Sequence, residues 1–235
     1  MGKRLKFDLL FEMLCSRSKE QVFRSVEKVE RNSVHMRREG SKEAQEGKGI
    51  IHQRLIEKAL ELGATRAAVI DVKAIVFDRV FRDMCASNAC GMYGKCYMCP
   101  PDVGEIDTLM QEAKQYDYAL VYQTVSELED SYDFEGMLEA RRRMPKLSQS
   151  LRKTFEDASF SRVLHLSVGN CGVCKICAKK TGEPCRFPKL ALPSLEAYGI
   201  NVSELAKSAG MKYINGQDTV TYFGAVLFSL DGEEG

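Results

Sequence analysis

The chain lacks the usual marks of the commoner functions. It has three histidines, and no Ser/His/Asp arrangement, P-loop or G-x-G-x-x-G stands out along it, so neither hydrolysis nor nucleotide chemistry has visible support. Basic and acidic residues nearly cancel, to a net charge of +1 over 235 residues, which leaves no global field to draw in nucleic acid or an acidic membrane. No run approaches the ~20 apolar residues of a membrane span. The stretch Leu9 to Cys15 has the outline of a lipoprotein signal, but Asp8 and Glu12 interrupt what would have to be an uncharged apolar region. No internal repeat is present. The expectation is a cytosolic protein with one sizeable core, or one core and an appendage.

What the chain does have is cysteine. Eight of its nine cysteines fall into two quartets about 70 residues apart. In a reducing cytosol, where structural disulfides are rare, such clustering argues for metal or redox chemistry. The second quartet is Cys171-x2-Cys174-x2-Cys177, with Cys185 eight residues later beside Pro184. Repeated x2 spacing brings three thiolates around a tight loop, with a fourth arriving from farther along. That three-plus-one pattern is ferredoxin-like and fits an iron–sulfur cube better than the paired knuckles of zinc. The first quartet, Cys85-x4-Cys90-x5-Cys96-x2-Cys99, ends in Pro100-Pro101 and carries Gly91, Tyr93 and Gly94 between its cysteines. Its longer gaps match neither metal's common spacing. Three arrangements are open: four ligands for a second cluster, three ligands with an open corner, or an exchange between quartets in which Cys185 serves the other cluster. Cys15 stands alone and reads as an inert thiol.

Periodicity sets the frame. Residues 1–49 hold 12 Lys/Arg against 8 Asp/Glu and read as a poorly ordered or helical extension, with a capping box at Ser18 to Gln21, helical spacing of Val22, Val26 and Val29, and a loose polar stretch from Arg37 to Gly49. Met36 is an alternative start. The cysteine-rich domain spans 50–235. It opens with a helix stopped by Gly63 and a buried strand, Ala67 to Ile70. Ile75, Phe77 and Val80 suggest a second strand ahead of the first cysteine loop. Asp102 with Glu105 caps the next helix, whose apolar face is Ile106, Leu109, Met110 and Ala113. A strand at Tyr118 to Tyr122 follows. A long helix from Asp133 to Phe155 is bent or restarted by Pro145 and carries the solvated Arg141-Arg142-Arg143. Ser161 to Val168 is a strand holding the packed core histidine His165, and the second cysteine loop springs from its end. Short helices end at Gly199 and Gly210, the latter capped by Asn201 and Glu204. Met211 to Ile214 and Val220 to Phe228 pair as a hairpin through Asn215-Gly216. Helices alternate with strands, so the fold class is α/β: a layered sandwich with a mixed sheet, a C-terminal β-hairpin and two cysteine-rich metal loops.

Taken together, Cys90-Gly91-Met92-Tyr93-Gly94, Cys99-Pro100-Pro101, Cys171-x2-Cys174-x2-Cys177, Pro184 to Pro188 and Ser194 to Val202 resemble the DUF2284 family of predicted metal-binding proteins of bacteria and archaea, over about Ile50 to Leu230. The resemblance implies a metal site at the matching cysteines and specifies no reaction. It also implies cysteines at the equivalents of Cys85, Cys90 and Cys99, whereas Cys96 falls where other residues are common, which favours the three-ligand option. Three functions follow from these readings. The first is a cytosolic carrier of one or two [4Fe–4S] clusters that passes electrons to a redox partner protein. The second is a cluster-dependent reductase with an open corner at Cys85, Cys90 and Cys99, fed from the Cys171 group. The third is a zinc-stabilised interaction protein.

Overall fold

A computed structural model describes residues 45–156 and 160–231. The chain divides into two compact units, Met1–Ile51 and His52–Gly235. The capping box at Ser18, Cys15 and Met36 lie outside the described residues. Residues 45–49, expected to be loose, are instead helical and open α1, over residues 45–61. Gly47 and Gly49 each cost about 1 kcal/mol relative to alanine in a helix, but Gln45, Glu46 and Lys48 around them are good helix formers.

The fold is mixed α/β. A four-stranded sheet, ordered β1-β2-β4-β3, is built from β1 (Arg66–Asp71), β2 (Tyr118–Glu127), β3 (Phe160–Leu166) and β4 (Thr219–Leu230). All three pairings are antiparallel. The mixed sheet expected from helix–strand alternation is therefore corrected: among the described residues, parallel pairing occurs only as an isolated bridge, Ser167 to Ser194, outside the named strands. The hairpin is corrected too. Only its second arm is a strand, because Tyr213 and Ile214 face solvent while the Asn215 amide closes a turn by donating to the Lys212 carbonyl and Thr221 Oγ1.

Both faces of the central strands are covered. Ala119, Val121, Ala225, Leu227 and Leu166 lie on one face, under α3 (Ile106–Ala113) and α5 (Val202–Ser208), with Leu195, Tyr198 and Ile200 filling between them. Leu120, Tyr122, Val226 and Phe228 point the other way, where α4 (Phe134–Arg152) buries Ala140, Met144, Leu147, Ser148 and Leu151 at helical spacing. Such two-sided burial explains why Leu120 to Tyr122 reads as a continuous apolar run rather than an alternating one. Pro145 sits inside α4, and the helix runs on without a break. Its start at Asp133 is where the periodicity placed it, and the Asp133 carboxylate caps it by accepting from the Gly136 amide at 2.8 Å. Asn201 likewise caps α5 by accepting from the Glu204 amide.

Inside the α4 layer His165 is a packed core residue, as expected. Its Nε2 lies 2.7 Å from the Tyr122 hydroxyl, which in turn meets Ser148 Oγ, and Ser148 meets Ser167 Oγ. Burial holds the His165 imidazole down at about 3, so the ring is neutral. The ring of Tyr122 lies over Gly224, its partner in the β2–β4 register; a Cβ there would come within 2.4 Å of the Tyr122 ring.

The second strand expected at residues 73–82 is replaced by a 3-10 turn (Val72–Ala74), a single bridge from Phe77 to Ile200, and α2 (Val80–Ala86). The Asp78 carboxylate accepts from the Val80 amide at 2.9 Å just ahead of that helix, whose N-cap is Arg79. Cys85 thus stands on a helix rather than in the loop that follows it.

Candidate metal centre

Each cysteine loop leaves the core from a fixed point. The second is pinned at its neck: the Ser167 amide donates to the Pro193 carbonyl and the Leu195 amide to the Ser167 carbonyl, so residues 168–193 leave β3 and return beside it. α4 holds the returning arm, with Gln149 donating to the Leu190 carbonyl and Arg152 to the Lys189 carbonyl. Arg141 reaches Asn170 at the outgoing arm, while Arg142 and Arg143 stay on the exposed face expected of the arginine run. The first loop runs from α2 to α3. Arg82 anchors α2 by donating to the Ala197 and Gly104 carbonyls. Asp102, expected to cap α3, pairs instead with Lys179 of the second loop, and the Tyr97 hydroxyl donates to the Glu183 carbonyl. These two contacts tie the loops together, and the eight cysteines gather at one edge of the fold.

They gather around two adjoining cavities, and the partition does not follow the sequence quartets. A cavity of about 130 Å³ is lined by Cys171, Cys174, Cys177 and Cys185, and also by Cys96. A second, of about 310 Å³, is lined by Cys85, Cys90 and Cys99. Met92, Met98 and Asn170 contribute to both walls. Cys185 therefore stands with its own group, and Cys96 is the residue that crosses. Its sulfur is buried within hydrogen-bond reach of the Cys171 and Met98 amides and of the Cys177 and Cys99 thiols. The hydrogen bond between Cys96 and Cys99 pulls the Cys96 thiol down and pushes Cys99 up, so Cys96 is the one of the pair that gives up its proton more readily.

The surroundings of the sulfurs suit thiolate ligation. The Cys171 sulfur accepts from the Val173 and Leu192 amides, although burial outweighs this and pushes its thiol up. Backbone N–H groups aimed at sulfur are what a buried thiolate or cluster needs in place of water. Gly172, at φ 69°, occupies the left-handed region that lets the chain double back between Cys171 and Cys174. Arg186 ion-pairs with Glu183 at 2.8 Å, donates to the Ile176 carbonyl and also reaches the Cys174 sulfur, joining a surface pair to the cavity rim.

The Cys85 thiol is pushed up by burial first, then by the Glu196 carboxylate and by Cys90, with Arg82 pulling it back. Glu196 itself lines this cavity beside Ser194. Neither Glu196 nor Arg82 stands out in the sequence, since both lie far from their cysteine partners or on a helix without a buried face. Among the described residues no group of three or more His, Cys, Asp or Glu side chains closes around a single point as a metal-ion site.

Comparison with characterised proteins and with solved structures returns no match. Against protein-family models, residues 68–228 match the family described as predicted metal-binding protein (DUF2284). That match covers well over half of the chain and runs through both cysteine loops and the sheet that carries them, so the chain belongs to the DUF2284 family of predicted metal-binding proteins.

Proposed function

We propose that this protein holds [4Fe–4S] clusters at its two cysteine cavities and works in the cytosol as an electron carrier for a redox partner protein. The observation that supports this most is the gathering itself: two loops from distant parts of the chain bring five thiols to one cavity and three to its neighbour. A bound cluster supplies one-electron chemistry. The chain's own part is to hold the sulfurs, aim amides at them, and keep water away with Met92, Met98, Phe187 and the Cys171–Cys177 backbone. The shared wall and the Cys96–Cys99 contact make the two cavities immediate neighbours, which suits electron passage between them. No helix among the described residues is long and apolar enough to cross a membrane.

A second reading is the cluster-dependent reductase, and one observation favours it. The three-cysteine cavity is the roomier of the two, about 310 Å³ against about 130 Å³, and leaves one corner without a thiol. Anaerobic reduction and reoxidation separate the readings. A carrier gives a brown protein that bleaches with dithionite and recovers its colour with any suitable acceptor. A reductase recovers only with a substrate that enters the larger cavity. A colourless protein overturns both and leaves the zinc-stabilised module.

A further inference from the structure

Three thiols account for three corners of a cube at the larger cavity, and the remaining polar lining there is dominated by one acid. Glu196 opens the 3-10 turn Glu196–Tyr198, which Gly199 ends. The turn is held rigidly. Arg82 of α2 donates to the Ala197 carbonyl at 3.0 Å, the Ser194 hydroxyl accepts from the Ala197 amide, and the Asp78 amide donates to the Gly199 carbonyl at 2.7 Å. Both ends of this turn are thus fastened to the segment that carries Cys85, and Glu196 projects into the same cavity as Cys85, Cys90 and Cys99.

Its carboxylate accepts no hydrogen bond and joins no ion pair among the described residues; its electrostatic partner is the Cys85 thiol, which it disfavours as a thiolate. A half-buried carboxylate that faces a group of thiols and has no hydrogen bond of its own is unfavourably placed unless a cation joins them. Arg82 is the one basic side chain acting on Cys85, and its guanidinium is already committed to two carbonyls. A metal centre between the acid and the thiols would supply that cation.

We infer that Glu196 is the fourth donor of the three-cysteine site, giving its carboxylate oxygen to the iron that Cys85, Cys90 and Cys99 leave open. The inference rests on the iron–sulfur reading proposed above. A carboxylate is a harder and more readily exchanged donor than a thiolate, so this corner is the one that gives up its iron or accepts an incoming ligand, while the Cys171 cavity, rich in sulfur, keeps its own.

The test compares anaerobically purified wild type, Glu196→Gln and Glu196→Cys for iron content and EPR spectrum, before and after mild oxidation with ferricyanide. The Glu196→Gln protein should lose about one iron per chain more readily than wild type and show the signal of a three-iron cluster. Glu196→Cys, with four thiolates, should keep its iron under the same oxidation. Equal iron loss and coincident spectra in all three proteins would overturn the assignment of Glu196 while leaving the iron–sulfur reading intact. A wild-type protein without iron and sulfide would overturn that reading, and the assignment with it.

Discussion

Single residues carry two of the sharpest physical consequences. His165 stays neutral in the folded chain down to about pH 3, whereas an exposed histidine takes up its proton near 6.5. Between those values the unfolded chain binds the extra proton, so stability falls as pH falls through this window. Replacing His165 with glutamine removes that proton uptake and leaves a side chain able to bond the Tyr122 hydroxyl. Urea titrations between about pH 4 and pH 6 should show wild type losing about 1.4 kcal/mol per pH unit more than His165→Gln; parallel pH profiles would mean that His165 titrates normally. Gly224 gives the second. Alanine normally improves on glycine in a strand, but a Cβ here would press on the fully buried Tyr122 ring. Gly224→Ala is therefore expected to destabilise by about 1–3 kcal/mol, read from the urea midpoint, and a gain in stability would contradict the packing described. The histidine's role was legible from its place in an apolar strand. The need for Gly224 was not, because nothing local marks a glycine whose neighbour on the next strand is a tyrosine.

Elements show the same division between what is local and what the fold assembles. The strand at Tyr118 and the helix from Asp133 announce themselves through an unbroken apolar run and a periodic stripe. The helix Val80–Ala86 does not, since it buries none of its residues and leaves Val80 and Met84 at 47% and 63% exposure. The two cysteine quartets were legible as sets, and Cys171, Cys174, Cys177 and Cys185, joined by spacing, line one cavity. Cys96 was grouped with Cys99 because only two residues separate them. The structure lines the second loop's cavity with Cys96 and the neighbouring cavity with Cys99, although the two sulfurs remain within hydrogen-bond reach, and the Tyr97–Glu183 tie between them joins the loops. Hence Cys96→Ser should shift the spectrum or potential of the Cys171 site, as Cys174→Ser does, and leave the signal of the Cys85 site unchanged. The opposite pattern would return Cys96 to its sequence neighbours.

At the scale of the whole molecule, the antiparallel sheet works as a plate whose two faces are closed by helices, leaving one edge for the cysteine loops. The second loop takes its neck from the sheet and the first from α2 and α3, and each depends on the other for its outer contacts. Metal at this edge should therefore add to the stability of the entire domain rather than of a single loop, as binding to the folded state alone requires. Whether that metal is an iron–sulfur cluster is the claim on which the functional reading stands. The most direct measurement is iron, zinc and acid-labile sulfide per chain after anaerobic purification. Iron and sulfide are expected in equal amounts, about four of each for every occupied cavity, with no stoichiometric zinc; stoichiometric zinc without sulfide would contradict the iron–sulfur assignment.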